Sequence, residues 1–172
     1  KSNIGGVIEE LIMGAVQYNF SNETLLVTGA SSGIGKLVCE DFAASGGNVV
    51  CIGRTRERLE EVVAGISAST NGSAVAVVGD VSQSSTFKHA VDTAVSTFGE
   101  LNYAFNCAGT EGPLSPISET SDDSFMDMIN TKLTGCFLGL KAQIPVMREK
   151  GGAIVNMVGS FGHIGYPYMG AY

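Results

Sequence analysis

The chain has no Trp, only four Pro and four Cys, and only 10 Lys and Arg against 17 Asp and Glu among its 172 residues. The shortage of positive charge, a formal net −7 with no Lys/Arg-rich run, argues against a surface built to neutralise nucleic-acid phosphates or anionic headgroups. No apolar run approaches the roughly 18 residues that cross a bilayer, so neither nucleic acid nor membrane is expected as a partner. The cysteines, Cys39, Cys51, Cys107 and Cys136, show no C-x-x-C pair and no His at a zinc spacing. They read as small core residues, with no metal site and no disulfide framework, which points to a cytoplasmic location. Residues 1–20 lack the basic stretch, apolar core and cleavage site of a signal peptide. They are expected to form an N-terminal extension with a short helix over Val7 to Val16.

What is present is apolar bulk, 44% hydrophobic residues with 16% charged, enough for one domain over residues 21–172. Short β-rich apolar runs at Thr24–Thr28, Asn48–Gly53, Ala74–Gly79, Asn102–Phe105 and Ala153–Val158 alternate with helical stretches at Ile34–Ala44, Arg56–Ala64, Ser84–Phe98 and Asp122–Arg148. In the third helix Phe87, Val91, Ala94, Val95 and Phe98 recur at helical spacing. The strands are continuous runs rather than alternating ones, so burial on both faces is expected. The order predicts an α/β fold, a doubly wound parallel sheet of Rossmann type with about five strands present.

The segment Thr28-Gly29-Ala30-Ser31-Ser32-Gly33-Ile34-Gly35 follows the first strand and opens the first helix. Gly29 permits a tight turn, Gly33 lets backbone approach a pyrophosphate, and Gly35 lets the helix pack close to the sheet. The helix N-terminus offers free N–H groups, to which the Ser31 and Ser32 hydroxyls add donors. The spacing G-x-x-x-G-x-G and the run T-G-A-S-S-G-I-G resemble the coenzyme loop of the short-chain dehydrogenase/reductase family. The resemblance runs from Thr24 to Tyr172 through several separate motifs. It implies that Gly29, Ser31, Ser32, Gly33, Ile34 and Gly35 bind a nicotinamide cofactor.

Cofactor choice is read at the end of the second strand, where an acid would bond the ribose 2′-OH of NAD(H) and an Arg would pair with the 2′-phosphate of NADP(H). The strand ends Cys51-Ile52-Gly53-Arg54, with no acid and a guanidinium suited to phosphate. NADP(H) is therefore expected in preference to NAD(H). Asp80-Val81 resembles the family's adenine contact, with helix capping as a second role open to Asp80. Asn106-Cys107-Ala108-Gly109 resembles the family's N-N-A-G segment, with Cys in place of the second Asn. Ala108 and Gly109 leave room for a ribose, and Asn106 is expected to bond backbone on the neighbouring strand.

The resemblance further implies a Tyr that moves a proton while the nicotinamide moves hydride, a Ser that polarises the substrate oxygen, and a Lys four residues beyond the Tyr. Tyr172 stands in the Tyr position, and the Lys position falls past the last residue given, so the chain reads as cut at both ends. Ser160 is the Ser candidate, yet it lies 12 residues before Tyr172 where the family spacing of 13 lands on Gly159. A loop shorter by one residue would restore it. Lys132 occupies the place of the family's Asn in N-x-x-G, two residues from Asn130.

The expected function is an oxidoreductase interconverting an alcohol and a carbonyl, with a small-molecule substrate and a homo-oligomeric full-length form. A cofactor-binding but catalytically weakened protein, such as a sensor or regulatory partner, is the alternative. A purely structural fragment with an open sheet edge is the third reading.

Overall fold

The structure, a computed structural model, describes residues 18–172. The helix expected over Val7 to Val16 lies outside the described residues. Five strands, β1 (Thr24–Thr28), β2 (Asn48–Gly53), β3 (Ser73–Val78), β4 (Tyr103–Asn106) and β5 (Ala153–Asn156), form one sheet in the order β3-β2-β1-β4-β5. Every neighbouring pair is parallel. The helices α1 (Gly33–Ala44), α2 (Arg56–Ser69), α3 (Ser84–Phe98), α4 (Asp122–Met128) and α5 (Gly135–Met147) connect them, with a π-helical turn, Ile129–Thr134, joining α4 to α5.

The alternation of side chains along β1 and β2 divides the core in two. Leu25, Val27, Val49 and Cys51 pack with Cys39 and Phe42 of α1 and Leu59, Val62 and Ile66 of α2. Leu26, Val50 and Ile52 face the other way, onto Ala90, Val91 and Ala94 of α3 and Met147 of α5. All of β1 is buried, as a central parallel strand covered on both faces must be. Phe20 stacks on the Phe42 ring at 4.4 Å between centroids, so the chain joins the core before β1 begins.

Two of the four cysteines are core, while Cys107 and Cys136 are only half-buried. Cys39 and Cys51 are buried with their sulfurs 3.7 Å apart, and the contact with Cys51 together with burial pushes the Cys39 thiol far up.

Several boundaries differ from expectation. Helix α2 runs to Ser69 rather than Ala64, because Ile66 continues its buried face and the Ser67 and Ser69 hydroxyls bond back to the Val63 and Gly65 carbonyls. Strand β4 starts at Tyr103, since Asn102 accepts the Thr24 amide through its side chain at 2.7 Å. In α3, Ala90 takes the core position and Val95 is left exposed. The expectation of two-sided burial fails at β5, where Ala153, Val155 and Asn156 are exposed because this edge strand has only β4 beside it. The long helix expected over Asp122–Arg148 is present without a gap as far as Met147, but it changes to π register over Ile129–Thr134.

Candidate active site

In a doubly wound sheet, a crevice opens where the strand order reverses, here between the loops that follow β1 and β4. Thr28 clips the two loops together. Its buried Oγ1 accepts hydrogen bonds from the backbone amides of both Cys107 and Ala108, each at 3.0 Å. Gly29 turns away at φ +71°, and a Cβ there would fall 3.1 Å from Ala108 Cα. A Cβ on Gly35 would run into the Gly29 carbonyl oxygen, so the start of α1 sits directly on the turn. Burial pushes the Cys107 thiol up, while the Gly35 N–H acts in the opposite direction.

Ser32 is the N-cap of α1, yet its hydroxyl makes no bond to the helix, and no acid stands in the first turn. Gly33 has φ +53° and open space where a side chain would stand, and Ser32, Gly33 and Ile34 are exposed. The donor set and the open backbone fit an anionic group such as a dinucleotide pyrophosphate.

At the far end of the crevice, Gly53 closes β2 and Arg54 is exposed beside it. Asp80 Oδ1 accepts the Ser82 amide at 2.8 Å. The Ser82 amide and hydroxyl hold the Asp80 carboxyl below the usual carboxylate range, and the positive charge of Arg54 adds to the effect. Arg54 and Asp80 therefore share one end of the site. Asp80 caps this turn rather than α3, whose N-cap is Gln83. Val81 is buried, and a Cβ on Gly135 would lie 3.0 Å from its Cγ2, so its side chain supports the long helix.

Asn106 corrects a second expectation. Its side chain bonds other side chains rather than strand backbone, pairing with Gln143 of α5 and donating to Asn156 Oδ1 at 2.9 Å. Gly139 makes this possible, since a Cβ there would fall 3.0 Å from Asn106 Oδ1. Gln143 was not singled out in the sequence, although a lone amide within the apolar stretch Gly135–Met147 is a signal of a buried polar contact.

Tyr172 is half-buried, held by a bond from its amide to the Met169 carbonyl at 3.1 Å. The preceding loop is tied to the β4–α4 connection where the Ser115 amide donates to the Tyr168 carbonyl at 3.1 Å. The Lys132 ammonium lies 3.9 Å from the centroid of the Tyr172 ring. The same Nζ would be 3.5 Å from a Cβ on Gly109, so one side chain reaches from the β4 loop to the tyrosine. Position 159 faces the phenol, because a Cβ on Gly159 would strike the Tyr172 hydroxyl. Ser160 is exposed at the start of a short turn, Ser160–Gly162.

The loops at this edge of the sheet therefore bring together an open helix start with no acid in its first turn, the exposed Arg54 and the half-buried Tyr172. Residues 23–172 match the family model described as short chain dehydrogenase. The chain belongs to the short-chain dehydrogenase family. It is 34% identical over 159 residues to a 3β-hydroxysteroid dehydrogenase of Mediterraneibacter gnavus, covering 92% of this chain and 57% of that protein. The crystal structure of NAD+-bound xylitol dehydrogenase superposes with a TM-score of 0.84 at 32% identity, covering 89% of this chain and 59% of that one. An alcohol dehydrogenase from Thermococcus sibiricus, complexed with 5-hydroxy-NADP, gives a TM-score of 0.83 at 25% identity, covering 87% of this chain and 63% of that one. The chain thus spans about three fifths of the length of these short-chain dehydrogenases. Its fold is the nucleotide-binding part of an oxidoreductase family whose members use a nicotinamide cofactor.

Among the described residues no helix is long and apolar enough to cross a membrane. No group of three or more His, Cys, Asp or Glu among them could hold a metal ion.

Proposed function

We propose that the protein is an NADP(H)-dependent oxidoreductase of the cytoplasm that interconverts a small-molecule alcohol and carbonyl, with Tyr172 moving the proton. The observation that carries this reading is that the Lys132 ammonium stands both over the Tyr172 ring and beside Gly109, which supports a phenol next to the loop that follows β4. Gly29, Ser31, Ser32, Gly33, Ile34 and Gly35 would hold the pyrophosphate at the start of α1. Ala108 and Gly109 would leave room for the ribose, and Asp80 would accept from the adenine amine. The cofactor, when bound, supplies or accepts the hydride.

In the reducing direction Tyr172 gives its phenolic proton to the substrate oxygen, and in the oxidising direction it takes that proton back. Ser160 is the hydroxyl we assign to polarising the substrate oxygen. The preference for NADP(H) rests on Arg54 and on Gly53, which leaves no acid to repel a 2′-phosphate or to bond a 2′-hydroxyl. A homo-oligomer is in keeping with the apolar side chains of Phe137 and Ile144 left exposed along α5.

Fluorescence titration with NADPH and NADH, followed by reduction of cyclohexanone, tests the reading. Tighter NADPH binding, lost in R54A, together with turnover abolished in Y172F, is expected. Equal affinity of R54A and the parent for NADPH would overturn the cofactor assignment. Full turnover in Y172F would overturn the role of Tyr172.

One observation favours the alternative of a cofactor-binding protein with weakened catalysis: the residue facing the phenol is Gly159, which has no hydroxyl. NADPH binding without turnover on a panel of carbonyls and alcohols is the result that would select it.

A further inference from the structure

Lys132 departs from the family pattern and has a defined place in the site. It lies in the π turn between α4 and α5, half-buried, with Nζ over the face of Tyr172. The ion pairs of Lys36, Lys88 and Lys150 each join an ammonium to a carboxylate, but among the described residues no carboxylate pairs with Lys132. Its ammonium stands instead over an aromatic ring and across the space that a side chain at Gly109 would fill.

We propose that Lys132 is a positioning residue for Tyr172, holding the ring in place and stabilising the negative charge that grows on it as the proton leaves. The face of a phenol ring is already negative and attracts a cation. When the proton moves to the substrate oxygen, the electron pair left on the phenol oxygen is shared with the ring, and the attraction strengthens. An interaction that is stronger in the transition state than before it raises the rate of the chemical step rather than the affinity for substrate. The π turn has a physical part in this. Its extra residue widens the helix locally and re-aims the side chains it carries, which is why such turns recur at functional sites.

The inference rests on the reading of Tyr172 as the proton donor, and the experiment separates the two. Four forms of the protein, the parent, K132M, K132R and Y172F, are compared in cyclohexanone reduction, in NADPH titration by fluorescence, and by NMR with ring-13C tyrosine. For K132M we expect kcat about tenfold lower, between the scales of an exposed and a desolvated cation–π contact as suits a half-buried lysine, with KM and NADPH affinity unchanged and most of kcat restored in K132R. The Tyr172 ring signal, assigned by its disappearance in Y172F, should move in K132M.

Retained NADPH binding shows that K132M is folded. Parental kcat in K132M with an inactive Y172F overturns the inference and leaves the Tyr172 reading standing. An active Y172F overturns the Tyr172 reading and with it the catalytic part of the inference. A ring signal unmoved in K132M overturns the contact itself, whether or not cyclohexanone is turned over. Loss of NADPH binding in K132M overturns the positioning role in favour of a cofactor contact.

Discussion

Asn106 and Gln143 hold each other through both ends of their amides: Asn106 Nδ2 donates to Gln143 Oε1 at 3.1 Å, and Gln143 Nε2 donates to Asn106 Oδ1 at 2.8 Å. Gln143 is fully buried, so the pair joins β4 to α5 inside the core, with Asn156 of β5 as third member. Replacing Gln143 by Leu would leave the Asn106 oxygen without its partner. We expect a loss of about 2 kcal/mol, read as a lower urea midpoint, because an orphaned buried amide costs about 1–3 kcal/mol. An unchanged midpoint would show that the pair adds nothing to the joint.

Thr24 presents the opposite case. Its Oγ1 is buried with no hydrogen-bond partner among the described residues, at the head of a fully buried strand. Thr24→Val keeps the shape, removes the unpaired hydroxyl and suits a β-strand, so a gain of about 1 kcal/mol is expected. Thermal melting of T24V against the parent checks the direction.

Asp80 gives a pH dependence. Its carboxyl is held below the usual range, first by the Ser82 amide and hydroxyl and then by Arg54. A depressed folded value means stability that is complete above the unfolded value of about 3.9 and is lost as pH falls through the folded one. The stability difference between parent and D80N should favour the parent at neutral pH and shrink below about pH 4. Urea midpoints across that range would reveal a constant difference if the Ser82 bonds did not favour the charged form.

Gly159 lends itself to a gain-of-function test. The Tyr172 hydroxyl and ring edge lie where the new Cβ would go, so the ring must move for the substitution to fit. In G159S the hydroxyl would stand beside the phenol, and cyclohexanone reduction should rise about tenfold if a polarising group is what that position lacks. If S160A abolishes turnover while G159S leaves it unchanged, Ser160 already fills the role.

The order of elements and the glycine-rich turn after β1 were legible because they rest on local signals. Gly29, Gly33 and Gly35 are required by backbone geometry, and the apolar runs that became β1 and β2 carry their own boundaries. Three features of the site carried weaker signals. Thr28 looks like the last residue of a strand, and nothing in the chain order shows that its hydroxyl meets amides some 79 and 80 residues away. The Asn106–Gln143 pair is likewise long-range, set by the packing of Gly139 against the sheet. The π turn, Ile129–Thr134, is a local change of helical register, which the apolar spacing over Asp122–Arg148 does not encode. The exposure of β5 follows from sheet position, which no run of apolar residues encodes.

The Thr28 clip bears on the entropy of recruitment. Because one hydroxyl fixes the amides of Cys107 and Ala108 in the same act that ends β1, the starts of the two loops are joined by the fold itself. For any ligand that touches these two loops, the ordering of the Cys107 and Ala108 backbone is a cost already met when the chain folded.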